Sequence, residues 1–289
     1  MRPLSFATVL LMLFSLSPTV QAQAATASCA LTSVNGELRE LTSAGRTRSY
    51  RLFVPPTAAG QAQLPLVLDL HGSGGNAVER AKASGFEALA AREGFAVATL
   101  QAEDSRWNVP AIGARADDVK YVSDVIDDIA ARVCIAPARV HATGFSGGGR
   151  MSSLLGCRLN DRIASIAPVG GLRSFNPCPG RAMPVLTIHG LADTTNPYEG
   201  HGDRGAEWVE SVPEALAGWA AHNRCQAKLV QDKPAGPVAT LRFAGCTGGS
   251  EVTLLRVDGL AHVWPRTELD ATATIWQFFK AHPRQSAEH

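Results

Sequence analysis

The chain of 289 residues is 45% hydrophobic and carries a formal net charge of +1, with 27 Lys and Arg against 26 Asp and Glu. That length buries a sizeable core, and the charges are interspersed without a basic stripe or acidic block, which excludes a nucleic-acid or polyanion binder. No repeat or low-complexity linker divides it, so it reads as one large globular unit.

Met1-Arg2, an apolar run from about Phe6 to Leu16, and Ala22-Gln23-Ala24 form the charged, apolar and small-residue zones of a secretory leader. Residues 1–24 are expected to be removed, leaving 25–289 as the mature domain, secreted or periplasmic. The run is too short for a membrane span, and Thr26-Ala27-Ser28 before Cys29 lacks the aliphatic residue of a lipoprotein signal. Six cysteines in an exported chain predict disulfides. The short separations of Cys157 from Cys178 and of Cys225 from Cys246 suggest two local bridges, leaving Cys29 for Cys134. Zinc is the rival reading, but the sequence has no CxxC pair and no His at ligand spacing beside a Cys.

Beyond the leader, β-rich apolar runs alternate with helical stretches. Strands are predicted at Tyr50–Val54, Leu64–Leu70, Ala96–Leu100, Arg139–Thr143, Ala164–Val169, Val185–His189 and Val252–Val257. Helices are predicted at Ala77–Arg92, Ala116–Val133, Gly148–Arg158, Ser211–Asn223 and Thr267–Lys280. Ser211-Val212-Pro213-Glu214 has the form of a capping box with Pro in the first turn. The alternation predicts an α/β fold with a largely parallel sheet.

Gly144-Phe145-Ser146-Gly147-Gly148 joins a predicted strand to a predicted helix, the setting of a nucleophile elbow. The turn is so sharp that Gly144 and Gly148 must be small, and it holds the Ser146 hydroxyl above the sheet edge. A serine needs a base to take its proton and a carboxylate to orient that base. The expected order is Ser, acid, His. Asp193 follows the strand ending at His189, and His262 follows the strand ending at Val257, which makes them the acid and base. Asp258 competes for the acid role but lies too close to His262 in sequence. One oxyanion donor is expected from the amide of Gly147 and a second from the turn His71-Gly72-Ser73-Gly74, at Ser73 or Gly74. Trp107, Tyr198 and Trp264 are placed as walls of an acyl pocket. His71, His189 and His201 could converge on a metal, but no carboxylate or Cys stands at ligand spacing, and Gly72–Gly75 lacks a phosphate-binding pattern. The expectation is therefore no metal and no cofactor.

These motifs together resemble the polyhydroxybutyrate depolymerase and feruloyl esterase family of secreted α/β-hydrolases, over nearly the whole mature chain. The landmarks are Leu70-His71-Gly72, Trp107-Asn108, Asp117-Asp118-Val119, Gly144 through Met151, Ala167-Pro168-Val169-Gly170-Gly171, His189-Gly190 through Asp193 to Pro197-Tyr198, and His262-Val263-Trp264-Pro265. The resemblance implies an α/β-hydrolase fold, the triad of Ser146, Asp193 and His262, and the bridges Cys157–Cys178 and Cys225–Cys246. Arg266 stands where such chains often carry Gly, and Ser73 where they often carry Cys or Gly. Family members cleave feruloyl esters, acetyl esters of xylan, or polyesters of 3-hydroxyacids. The chain has no linker and no surface-binding module, which favours feruloyl-type or short hydroxyalkanoate esters over solid polymer. A ligand-binding protein on an inactive scaffold is the rival from another class, and the intact triad argues against it.

Overall fold

The computed structural model describes residues 32–58, 63–110, 113, 115–201, 209–226 and 228–285, so the predicted leader and Cys29 lie outside the described residues. The strands are β1 (Val34–Ser43), β2 (Arg46–Val54), β3 (Leu64–Leu70), β4 (Ala96–Leu100), β5 (Ile135–Phe145), β6 (Ser165–Val169), β7 (Val185–Gly190), β8 (Val230–Gln231), β9 (Val238–Phe243) and β10 (Val252–Val257). They form one sheet in the order β1-β2-β4-β3-β5-β6-β7-β10-β9-β8. The run from β4 to β10 is parallel, while β1, β2, β9 and β8 pair antiparallel at its two edges.

All seven predicted strands are present. Those of the parallel centre are apolar on both faces because helices cover both sides, as β3 shows with every residue buried. β1, β8 and β9, outside the parallel centre, escaped prediction because their residues are partly or wholly exposed and their apolar runs are short or interrupted. β1 turns into β2 through Ala44-Gly45, both at positive φ, the backbone a two-residue hairpin needs.

The helices are α1 (Ala77–Ser84), α2 (Phe86–Glu93), α3 (Asp118–Ala130), α4 (Gly147–Arg158), α5 (Val212–His222) and α6 (Ala271–Ala281). The single helix predicted over Ala77–Arg92 is thus two. Gly85, at φ 73°, donates its N–H to the Ala81 carbonyl and ends α1 in a left-handed cap. α6 begins four residues later than the predicted start at Thr267, where Asp270 accepts the Ala273 N–H at 2.9 Å. The Ser211 capping box forms in full, with the Ser211 hydroxyl and the Glu214 carboxylate each capping the other's backbone.

Two apolar layers sandwich the sheet. Side chains of α3, α4 and α5 pack with Leu66, Leu68 and Leu70 on one face. Phe86, Phe95, Trp276 and Phe279 pack with Val67 on the other. Bridges join Cys157 to Cys178 and Cys225 to Cys246. Cys134 is also disulfide-bonded; Cys29, its partner in the predicted scheme, is outside the described residues. No helix among the described residues is long and apolar enough to cross a membrane.

Candidate active site

Ser146 sits between the last residue of β5 and the first of α4, at φ 54° and ψ −116°. For a residue with a Cβ this is a strained backbone, tolerated because its surroundings over-determine it. A Cβ on Gly144 would lie 2.5 Å from the Gly148 carbonyl carbon, and one on Gly148 would overlap the Leu70 carbonyl oxygen. The two glycines are therefore a steric requirement of packing strand, helix and β3 together. The Ser146 N–H donates to the Val169 carbonyl at 2.9 Å, anchoring the turn to β6.

Strand pairing brings the distant acid and histidine together. β7 and β10 run parallel with Gly190 opposite Val257, so the loops bearing Asp193 and His262 leave the same end of the sheet side by side. The Leu191 and Ala192 amides donate to the Val257 and Leu260 carbonyls, at 3.0 Å each, and lace those loops. His262 Nδ1 lies 2.6 Å from Asp193 Oδ2, which fixes Nδ1 as the protonated nitrogen and leaves Nε2 to accept a proton. The His262 ring packs 4.7 Å from that of Phe145, the residue before Ser146.

Asp193 is buried, and its other oxygen accepts the Thr195 and Asn196 amides at 2.9 and 2.7 Å. Burial works to raise its pKa, but the hydrogen bonds from His262 and Asn196 prevail and hold the carboxyl below its ordinary value. His189, kept neutral by burial, donates from Nε2 to the Asn196 carbonyl at 2.8 Å and stands 3.5 Å from Asp193 Oδ2. Thr195 and Asn196 were missed as partners of Asp193, their only trace being the Asp-Thr-Thr-Asn run, which suits an Asx turn, while His189, singled out as a landmark, stands beside the same carboxylate. Asp258, the competing acid, is exposed and 4.0 Å from Arg256.

On the other side of β5, β3 delivers the turn after His71. A Cβ on Gly147 would lie 3.0 Å from the Ser73 nitrogen and would overlap its hydroxyl, so the Ser73 and Gly147 amides are neighbours. The Gly74 N–H donates to the Ser105 carbonyl at 2.8 Å and is not available as the alternative donor. His71 is scaffold: Nδ1 lies 2.8 Å from the Gly72 carbonyl and Nε2 accepts the Ala102 N–H at 3.0 Å. The cleft here is lined by Ser73, Trp107, Gly147, Arg106, Arg115 and Arg150, together with Val109. A larger hollow of about 1010 Å³ opens beside Pro184 and Ser250, which precede β7 and β10, and so belongs to the opposite end of the sheet.

Of the three predicted pocket aromatics, Trp107 lines this cleft, with Nε1 donating to the His71 carbonyl at 2.8 Å. Tyr198 is buried edge-on to His189, at 6.1 Å between ring centroids. Trp264 packs on Arg80 and Phe86 and donates to Thr272 Oγ1 at 3.1 Å. Neither lines the cleft. Arg266 donates to the Ala83 carbonyl at 2.5 Å and so caps the C-terminal end of α1. Asn108 and Asp118 belong together, since the Asn108 N–H donates to Asp118 Oδ2 at 2.7 Å and holds the Trp107 segment against α3.

The ten-stranded, mostly parallel sheet with helices on both faces is an α/β-hydrolase fold, and Ser146, the His262–Asp193 contact and the neighbouring Ser73 and Gly147 amides lie together at the ends of its strands. The family described as esterase PHB (polyhydroxybutyrate) depolymerase matches residues 48–177. A Nocardia uniformis subsp. tsuyamanensis protein bearing the name of an esterase, NocK, is 31% identical over 252 residues, 78% of this chain and 73% of that protein. Feruloyl esterase B of Piromyces equi is 29% identical over 225 residues, 72% of this chain but 41% of that protein. Among solved structures, acetyl xylan esterase from Aspergillus awamori superposes with a TM-score of 0.65 at 14% identity, covering 85% of this chain and 99% of that one. The chain belongs to the PHB depolymerase esterase family and is a carboxylic ester hydrolase.

Proposed function

We propose that the enzyme is an exported serine esterase that works through an acyl-enzyme, with Ser146 as nucleophile, His262 as base and Asp193 as its orienting acid. The observation that carries this reading is the 2.6 Å contact between His262 Nδ1 and Asp193 beside the strained Ser146 turn. Ser146 Oγ attacks the ester carbonyl carbon and gives its proton to His262 Nε2. The Asp193 carboxylate stabilises the resulting imidazolium. The carbonyl oxygen becomes anionic and accepts N–H bonds from Gly147 and Ser73. The imidazolium then protonates the leaving alcohol, and water, activated by the same nitrogen, releases the acid. No step calls for a metal or cofactor.

The substrates are feruloyl-type or short hydroxyalkanoate esters. The names of the relatives and of the matching family support this class. Formed disulfides support export after loss of the leader, 1–24. Methyl ferulate, acetylated xylan, amorphous polyhydroxybutyrate and short nitrophenyl esters, ranked by kcat/KM, test the substrate class. The Ser146→Ala variant tests the mechanism: a drop of about 10³-fold or more in kcat is expected. Turnover at the wild-type rate in a folded Ser146→Ala protein would sink it.

A further inference from the structure

Asn196 is buried, and it bonds to three different parts of the site. Its N–H donates to Asp193 Oδ1 at 2.7 Å, and its carbonyl accepts from His189 Nε2, at the end of β7, at 2.8 Å. Its side-chain amide donates to the Gly170 carbonyl at 2.6 Å. Gly170 directly follows β6, whose last residue, Val169, accepts the Ser146 N–H. A Cβ on Gly170, at φ 57°, would lie 3.4 Å from His262 Cε1 and 3.5 Å from the Phe145 ring, so this peptide runs beside the His262 imidazole.

The site is built on two halves of the sheet. The loops bearing Asp193 and His262 leave β7 and β10, whereas the Ser146 turn joins β5 to α4 and is anchored to β6. The seam between the halves is the β6–β7 pairing, and it is thin near the site. The Ile166 and Gly170 N–H groups donate to the Pro184 and Ile188 carbonyls at 3.1 and 2.9 Å, but the rung between them falls on Pro168, which has no N–H. The Asn196 side chain adds a bond just past the last rung. A neutral amide suits this place, because a cation would compete with the His262 imidazolium for Asp193 and an anion would repel the carboxylate. We propose that Asn196 is a positioning residue whose side chain holds Asp193 and His262 in register with Ser146 across the β6–β7 seam. This rests on the Ser146, His262 and Asp193 reading given above.

The backbone bonds of Asn196 to Asp193 and His189 survive a change of side chain, so substitution removes the bond across the seam alone. The test compares Asn196→Ala with Asn223→Ala on a short nitrophenyl ester. Asn223 is also buried, and its side chain holds the Met183 N–H and carbonyl, at 2.8 and 2.6 Å, just ahead of β7 at the opposite end of the sheet. Both variants should unfold at lower urea. Only Asn196→Ala should lose kcat, by about tenfold or more with KM within about twofold, since a shift of about 1 Å in a reacting group costs on the order of 10²-fold. Asn196→Ser, which keeps a shorter donor, should fall between, and it is read by the same criterion should Asn196→Ala fail to fold. A kcat loss no larger than that of Asn223→Ala overturns the inference, while a dead Ser146→Ala protein still upholds the esterase reading. If Ser146→Ala stays active, that reading fails by itself, and the seam is judged by the far-downfield proton NMR signal of His262 Nδ1–H. A shifted or broadened signal in Asn196→Ala, absent in Asn223→Ala, supports the inference; an unmoved signal overturns it.

Discussion

Arg80 lies with its guanidinium 3.9 Å above the Trp264 ring, and the same group pairs with Asp69 at 2.7 Å. Both members of the ion pair are almost wholly buried. Burial pushes the Asp69 carboxyl up and the Arg80 guanidinium down, and each partner's charge opposes the shift. We take the pair as ionised, because a guanidinium keeps its proton in proteins. One side chain on α1 thus braces β3 and the loop two residues beyond His262. Asp69→Asn should cost about 3–5 kcal/mol in urea denaturation, since it strands a buried cation. A loss below about 1 kcal/mol would contradict a charged pair.

Asp193→Asn keeps the size of the side chain but cannot accept the His262 Nδ1–H while presenting its amide, so the base is lost in its working tautomer. A fall of about 10⁴-fold in kcat is expected with little change in fold. A tenfold effect in steady-state kinetics would point to another acid.

Activity should fall on acidification as His262 Nε2 takes a proton and can no longer accept one from Ser146. Asp193 stays ionised across that limb, because its carboxyl is held below the ordinary range. A plot of log kcat/KM against pH should therefore show a slope of about one on the acid side. A slope near two would mean that the carboxylate titrates as well. EDTA should leave the rate unchanged.

Stability in acid should depend on His141. It is fully buried, with Nδ1 2.8 Å from Ser165 Oγ and its ring stacked on Phe279, and burial, aided by the charges of His282 and Arg139, lowers its pKa from 6.5 to about 3. The unfolded chain takes up a proton near 6.5 that the folded one refuses, so stability is lost as pH falls below 6.5 and the loss levels off only near 3. Between pH 7 and 4.5 this amounts to roughly 2–3 kcal/mol. His141→Phe should flatten that slope in urea denaturation series at the two pH values. An unchanged slope would exclude His141 as the source.

Reduction should loosen the site before the sheet. Cys157 ends the helix that starts at Ser146, and the Cys225–Cys246 loop holds β9 just ahead of β10. Each bridge closes a short loop and contributes about 3 kcal/mol by the chain-entropy account. Activity should disappear at reductant levels where far-UV dichroism remains native. Simultaneous loss of both signals would count against this order.

The turn at Ser146 and the loops bearing Asp193 and His262 were legible in the chain. Gly144 to Gly148 announces its own turn because the steric demand lies within five consecutive residues, and Asp193 and His262 each follow a run of buried strand residues. Central strands were legible for the same reason, since burial on both faces writes a continuous apolar run. Where neighbours in space are far apart in sequence, only tertiary structure decided. The register that sets Gly190 against Val257 brings Asp193 to His262, and the Gly74 amide is engaged by the Ser105 carbonyl. Arg106 and Arg115, on the connection from β4 to α3, and Arg150, on α4, meet in one cleft because β4 and β5 flank β3 in the sheet. Trp264 looked like a pocket wall beside His262, yet a buried Arg80 claimed its face, because a desolvated cation needs both a carboxylate and an aromatic surface to lie against.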